Sequence, residues 1–176
     1  MNYAEWEKAV PPEITGDTLW KVEAYRLALF AADLAWHDAT KLMGDRRSQQ
    51  HASQLFAAVG SVSANIAEGY SRGTGRDRAR FYEYALGSAR EARTWYYQGR
   101  QLLGPTLLEH RLAFLTQISR LLLKMIPDQR GRNLRETGPA YGMQPCDHDD
   151  DKWDDRPGDV PMPSETDEND LGATQE

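Results

Sequence analysis

Residues 52–66 read ASQLFAAVGSVSANI, and the apolar positions of this stretch decide the fold class. One set of apolar residues recurs here at spacings of three and four: Ala52, Leu55, Val59, Val62 and Ile66. Such spacing places them on one face of an α-helix, where they form a seam for packing against other helices. We therefore predict a helix from about Ser48 to Glu68, ended by Gly69.

Three further segments of the chain show helical periodicity. The first is expected to begin near Asp17–Thr18, whose side chains can cap it, and to end near Gly44. The third helix is expected to begin at Asp77 as its cap and to end at Gly104–Pro105, and the fourth to stop at Pro127. The seam predicted for the third helix consists of Phe81, Ala85, Ser88, Ala92, Trp95, Gly99 and Leu102.

These four segments have similar lengths and short connections, so successive helices must run antiparallel. No segment alternates with a period of two, and we predict no strands. The sequence thus predicts an all-α protein, an antiparallel up-down-up-down four-helix bundle over residues 17–127. Residues 1–16 form an N-terminal extension, and residues 128–176 form a disordered acidic tail.

Charge is distributed unequally between the bundle and the tail. Residues 1–126 hold 16 Lys+Arg against 13 Asp+Glu, whereas residues 127–176 hold 5 against 14. The tail includes the acidic run DHDDDKWDD at residues 147–155. Strong self-repulsion and few apolar residues favour disorder in such a segment.

The sequence lacks the motifs that would indicate several functional classes. The single cysteine, Cys146, gives no disulfide framework, and we expect a soluble, cytoplasmic protein without a signal peptide or membrane span. No Glu-x-x-His pair, phosphate-binding loop or nucleophile elbow is present. The histidines are scattered along the chain at positions 37, 51, 110 and 148. We therefore expect no enzymatic activity, no cofactor and no metal site.

Arginines cluster between the second and third helices. The cluster contains Arg72, Arg76, Arg78 and Arg80. Up-down connectivity places this loop at the same end of the bundle as Lys21 and Lys124, which would make that end positive. The cluster either contacts phosphates or is simply a solvated surface.

The third helix adds a second basic feature, formed by Arg90, Arg93 and Arg100 with Tyr97 among them. Their spacing predicts a shared face opposite the predicted seam, exposed in a monomer. Arginine binds phosphate bidentately and tyrosine can stack on a base, so this face is a candidate nucleic-acid-binding surface. The alternative is again an ordinary solvated face. The body's 12 Arg against 4 Lys favours a function.

Aromatic residues are more numerous than one bundle core can bury. Trp95, Tyr96 and Tyr97 are consecutive and cover most of the circumference of the third helix, while Trp20 and Trp36 lie on the first. They are either partly exposed residues at the edge of the core or part of a subunit interface, where aromatics are enriched. We favour self-association.

The end of the second helix carries two polar residues that need partners. Glu68 lies at a helix C-terminus, where the helix dipole disfavours an anion, so a cation should compensate it, and Arg72 is nearest in sequence. Asn65 lies beside the seam and is placed to bond across helices. We interpret both as structural.

Two runs carry a family resemblance, SVSANIAEGYSR at residues 61–72 and FYEYALGSARE at residues 81–91. Together they resemble the bacterial four-helix-bundle family that includes proteins encoded in intervening sequences of 23S ribosomal RNA genes. The accessory variability determinant of diversity-generating retroelements is a related member. The resemblance implies a barrel-like homopentamer that associates with nucleic acid, RNA or DNA, and in the retroelement branch with a reverse transcriptase.

The family positions matched by this sequence are carried over as fold and assembly residues: Asn65, Glu68, Gly69, Gly87, Ser88 and Glu91. Trp95 joins them as an interface candidate. The sequence departs from the family at Ser63, where many members have proline, and in its acidic tail.

Two functional hypotheses follow. The first is a non-enzymatic, oligomeric accessory protein that binds nucleic acid through its arginine surface. The alternative is a protein-protein interaction scaffold whose acidic tail recruits a basic partner. The tail is a plain solubilising segment, or else an intramolecular mimic of nucleic acid that occupies the arginine surface.

Overall fold

A computed structural model of the chain describes residues 2–130, and throughout this range the regular structure is helical. The elements are α1 (Tyr3–Ala9), α2 (Pro12–Thr15), a 3-10 helix (Thr18–Lys21), α3 (Glu23–Met43), α4 (Gln49–Tyr70), α5 (Gly75–Gln98), α6 (Arg100–Leu103) and α7 (Pro105–Arg130). The all-α prediction is confirmed. The disordered tail was predicted at residues 128–176, and this start was wrong, because residues 128–130 belong to α7. Residues 131–176 lie outside the described range.

The four long helices α3, α4, α5 and α7 form the predicted antiparallel bundle. Each packs against the next in the chain, and α7 also contacts α3. The seam predicted for α4 is confirmed, because its five apolar residues are all buried. These residues pack into one core with apolar residues of the other three long helices.

The buried face of α5 differs from the predicted seam. Its buried residues are Ala79, Tyr82, Ala85, Leu86, Ala89, Ala92 and Tyr96. Phe81, Ser88 and Trp95 are only half-buried, so the prediction was wrong for these positions. A tyrosine can be buried where its hydroxyl finds a hydrogen-bond partner. The Tyr96 hydroxyl finds such a partner inside the core, so Tyr96 is buried.

Four helix boundaries were also predicted wrongly. The third helix ends at Gln98, and the short α6 follows it before Gly104. The 3-10 helix, capped by Asp17 at Leu19 N (2.8 Å), precedes α3, which begins only at Glu23. The cap of α5 is Thr74, whose Oγ1 accepts from Asp77 N at 3.1 Å, so Asp77 is the third residue of the helix. Finally, α7 continues through Pro127 to Arg130. A proline this close to a helix end removes only one hydrogen bond of the last turn.

The N-terminal extension contains a helix that the periodicity did not predict. Asn2 and Glu5 form a capping box that starts α1. Trp6 is buried, with its ring 5.2 Å from that of Phe30 on α3. Its Nε1 donates to a carboxylate oxygen of Asp33. Trp6 holds this short helix against the bundle together with Tyr3, whose ring also contacts that of Phe30 at 5.5 Å, and with the Glu7–Arg26 ion pair.

A buried ion pair joins three helices of the bundle. Arg111 on α7 donates from Nε to Asp38 Oδ2 of α3 at 2.7 Å and from Nη2 to Asp38 Oδ1 at 3.2 Å. The Tyr96 hydroxyl donates to the same Oδ2 at 2.8 Å. Burial and the Asp38 charge raise the pKa of Tyr96 well above its ordinary value. The cluster lies where α3 and α5 end and α7 begins.

Candidate nucleic-acid interface

The end of α4 carries the first of the predicted arginines. Arg72 forms an ion pair with Glu68, as predicted for a carboxylate at a helix C-terminus. Its guanidinium also lies 4.5 Å from the centroid of the Phe81 ring, a cation–π arrangement. The half-buried Phe81 thus supports Arg72 on the surface.

The remaining arginines of the predicted cluster all lie in α5, because this helix begins at Gly75. Arg80 is exposed, 3.7 Å from Asp77 and 5.6 Å from the Phe81 ring centroid. Arg76 is exposed at the first turn. Arg78 is half-buried and donates from Nε to the Arg72 carbonyl at 2.8 Å, so it braces the turn between the helices.

One face of α5 presents arginine and tyrosine side chains together to solvent. We call this face the α5 stripe, defined by Arg76, Arg80, Tyr84, Arg90 and Tyr97. Their spacings of 4, 4, 6 and 7 residues place them within an arc of roughly 140° on one side of the helix, while the buried face centres on the other side. Tyr84 and Tyr97 are 52% and 55% exposed, although both side chains are largely apolar.

Arg100 extends the α5 stripe beyond the end of the helix. It lies in α6, with its guanidinium 4.4 Å from the Tyr97 ring centroid. Its Nη1 donates to the Tyr97 carbonyl at 2.9 Å. The guanidinium therefore lies over one face of the Tyr97 ring and leaves the other face for stacking.

Two predicted contact residues do not belong to the exposed face. Arg93 is half-buried, and its Nε is enclosed without an acceptor among residues 2–130. Arg78 points to the turn described above. Conversely, Tyr84 was not predicted to belong to this surface, although its spacing of four from Arg80 was a usable signal.

The charge of this region is strongly positive. Residues 72–100 contain seven Arg and three Asp+Glu. One of the acids, Glu83, is paired with Arg130 at the end of α7, with 3.0 Å between Nη2 and the carboxylate. The α5 stripe therefore retains a net positive charge.

The predicted fold and assembly residues have different surroundings. Gly69 is buried, and a Cβ there would lie 2.9 Å from Phe81 Cβ and from the Tyr82 ring, so this glycine lets α4 approach α5. Glu91 accepts from Trp95 Nε1 at 3.1 Å, and Asn65 donates to the Ser61 carbonyl at 2.8 Å. The predicted cross-helix bond of Asn65 is therefore wrong, because its amide returns to its own helix.

Gly87 has a different environment from Gly69. It is exposed on the α5 stripe, and a Cβ added to it would meet nothing within 4 Å. The fold of one chain therefore gives no reason for glycine at this position. Ser88, its neighbour, is half-buried.

A second exposed surface is apolar. Trp36 on α3 is 62% exposed and packs edge-on against Phe56 of α4, with ring centroids 5.7 Å apart. A cavity of about 450 Å³ adjoins it between the N-terminal segment and α3, lined in part by Trp6, Ile14 and Leu29.

Two kinds of site are not found within residues 2–130. No three His, Cys, Asp or Glu side chains there are grouped so that they could hold a metal ion. Nor is any helix of this part of the chain both long and apolar enough for a transmembrane span.

Known proteins resemble this chain in sequence and in fold. The family model for the 23S rRNA-intervening sequence protein matches residues 21–124. A solved structure from Bacteroides thetaiotaomicron, a protein of unknown function from the S23 ribosomal protein family, superposes with a TM-score of 0.56. That structure is 20% identical, and the match covers 58% of this chain and 97% of the other, so it shows a shared fold. No curated protein matches the sequence.

Proposed function

Because the chain belongs to the 23S rRNA-intervening sequence protein family, we propose that it is a non-enzymatic accessory protein that binds single-stranded nucleic acid along the α5 stripe. RNA is the first candidate ligand and DNA the second. The observation that supports the proposal is the combination of exposed arginine and exposed tyrosine on one helix face.

The chemistry of the α5 stripe suits a single strand. Proteins that bind single strands without sequence preference combine a positive surface along the backbone with aromatic rings on which bases stack. Tyr84 and Tyr97 lie 13 residues apart on one helix, about 20 Å at 1.5 Å per residue. Arg90 lies between them, and Arg76 and Arg80 extend the positive surface beyond Tyr84. Arg100 does the same beyond Tyr97.

The two tyrosines provide the most specific test of this surface. In the full chain at low salt, we expect Tyr84→Ala and Tyr97→Ala each to weaken binding of a fluorescent single-stranded oligonucleotide by about 1–3 kcal/mol, the contribution of one stacked base. The matched control is Met43→Ala, which removes an exposed apolar side chain outside both the stripe and the Trp36–Phe56 pair and should leave the affinity unchanged. Equal affinities for all three variants would contradict the proposal.

Self-association is a second element of the proposal, supported by the exposed Trp36–Phe56 pair. Exposed apolar surface of this kind is typical of interaction sites. We propose that copies of this chain form a homo-oligomer, a pentamer by family resemblance, which would repeat the α5 stripe and give multivalent binding. Native mass spectrometry counts the subunits, and Trp36→Ser with Phe56→Ser should lower that number. A monomeric native protein would remove this element.

The resemblance to the retroelement accessory protein adds a reverse transcriptase as a proposed partner. Its test is co-purification with the reverse transcriptase expressed from the same organism. The competing hypothesis is a scaffold whose acidic tail recruits a basic protein. That scaffold would show partner binding and no oligonucleotide binding.

A further inference from the structure

The end of α7 lies against the first half of α5, the helix that carries the α5 stripe. Arg130, the last described residue, forms an ion pair with Glu83 in the first half of α5. Eight residues before Glu83, a Cβ at Gly75 would collide with the Gln129 carbonyl oxygen, so α7 ends in close contact with the start of α5. The described part of the chain therefore ends at Arg130, beside the stripe.

The sequence after this point reaches a strongly acidic segment. Residues 147–155, DHDDDKWDD, contain six Asp and one Lys and follow Arg130 after 16 residues. A chain of 16 residues spans up to about 50 Å, and the stripe from Arg76 to Arg100 is about 36 Å long. Every point of the stripe therefore lies within reach of this segment.

The segment offers the same chemistry as the proposed ligand. Its carboxylates supply closely spaced anions for arginine, as phosphates do, and Trp153 supplies a flat ring for Tyr84, Tyr97 or a guanidinium face. We propose that residues 147–155 bind the α5 stripe of the folded chain and compete there with single-stranded nucleic acid. This inference rests on the proposed function, since it concerns the regulation of the same surface.

Tethering makes a weak contact effective in this arrangement. An intramolecular ligand acts at an effective concentration on the order of 1 mM for a short linker. If the segment binds with a dissociation constant near 0.1 mM, occupancy of the stripe reduces nucleic-acid affinity about tenfold. The same attraction is screened by salt, so the competition should be strongest at low ionic strength.

Charge neutralisation within the full chain tests the competition. The first variant changes the six aspartates of the segment to Asn: Asp147, Asp149, Asp150, Asp151, Asp154 and Asp155. The matched control neutralises six acids elsewhere in the tail: Asp159, Glu165, Asp167, Glu168, Asp170 and Glu176. We expect the first variant to bind a fluorescent single-stranded oligonucleotide about tenfold more tightly than the native chain at low salt. The control should change affinity far less.

The lone cysteine supplies a direct probe of contact. Cys146 immediately precedes the acidic segment and is the only thiol of the chain. A benzophenone attached to Cys146 should, on irradiation, crosslink to peptides of α5, and both excess oligonucleotide and the six Asp→Asn changes should suppress these crosslinks. Mass spectrometry of the digest identifies the attachment sites.

Each outcome decides the question. Equal gains in affinity for the two variants, no gain for either, or crosslinks spread evenly over the bundle would overturn the inference. The crosslinking needs no oligonucleotide, so the two proposals can fail separately. Crosslinks on α5 without oligonucleotide binding by any variant would overturn the proposed function, whereas binding without α5 crosslinks would overturn only the role of the tail.

Discussion

Asp38 and Arg111 lie 73 positions apart in sequence and form the buried ion pair of the bundle. Both side chains are almost completely buried, at 0% and 3% exposure. Taking two charges out of water is costly, and their geometry offsets that cost only while both partners are present. The pair therefore fixes how α3 and α7 meet, with Tyr96 of α5 as the third contact.

Removing one charge of this pair should be strongly destabilising. Asp38→Asn leaves the Arg111 guanidinium buried without an anion, and we expect the free energy of unfolding to fall by about 3–5 kcal/mol. The double variant Asp38→Leu with Arg111→Met removes both charges and should lose much less. Urea denaturation measures both. A loss below about 1 kcal/mol for Asp38→Asn would show that the pair is not needed.

The neighbouring His110 should make stability depend on pH. Its Nδ1 lies 2.9 Å from Arg111 Nη1, which can only donate, so Nδ1 accepts and the ring is neutral. Burial lowers the pKa of His110, and the Arg111 charge lowers it further. Below about pH 6.5, His110 becomes protonated in the unfolded chain while it stays neutral in the folded chain. The free energy of unfolding therefore falls as the pH decreases from about 6.5 toward the lowered pKa of the folded state.

Denaturation curves at pH 7.5, 6.5 and 5.5 measure this effect. We expect His110→Gln to flatten the decline in stability toward pH 5.5, while the exposed His37→Gln should leave the decline in place. A native chain that is equally stable at all three values would contradict the assignment.

At the scale of helices, two glycines of the family pattern have opposite roles. Gly69 permits the contact of α4 with α5, where a Cβ would meet Phe81 Cβ at 2.9 Å. Gly87 faces open space on the α5 stripe. A glycine inside a helix costs about 0.5–1 kcal/mol relative to alanine, so its presence at an open position needs a reason outside the single chain.

Alanine at the two positions separates fold from assembly. Gly69→Ala should lower the free energy of unfolding by about 1–3 kcal/mol, because α4 and α5 must move apart. Gly87→Ala should raise the stability of the single chain by about 0.5–1 kcal/mol. If Gly87 is an assembly residue, the same change should lower the subunit number in native mass spectrometry. Equal destabilisation by both changes would contradict this division.

The sequence predicted the helices well and the orientation of α5 less well. The seam of α4 was found because its apolar residues are spaced regularly and have no polar atoms to satisfy. On α5 the aromatic residues misled the prediction, since Tyr82 and Tyr96 are buried while Phe81 supports Arg72 at the surface. A buried hydroxyl depends on a distant partner, here Asp38, and no local pattern reveals it.

At the scale of the whole molecule, the basic surface of α5 lies beside the end of α7, where the described part of the chain ends. The arginine surface was predictable from residue type and spacing, and six of its eight predicted members are exposed. The prediction failed for Arg78 because it misplaced the start of α5, and for Arg93 because it misplaced the buried face of this helix. The contact of α7 with α5 at Glu83 was not predictable, since it depends on how the fourth helix passes Pro127.

The salt dependence of binding is the sharpest test of whether the α5 stripe binds nucleic acid. We compare the full chain, a variant with Arg76, Arg90 and Arg100 changed to Gln, and a control with Lys41, Arg46 and Arg120 changed to Gln. Each removes three exposed cations, but only the first set lies on the stripe and its extension. For a single strand, each phosphate contact contributes about 0.7 to the slope of log affinity against log salt. We expect a slope about two units shallower for the stripe variant and an unchanged slope for the control. Equal slopes for the two variants would contradict binding by the stripe. So would the absence of binding at low salt by both the native chain and the Asp→Asn tail variant.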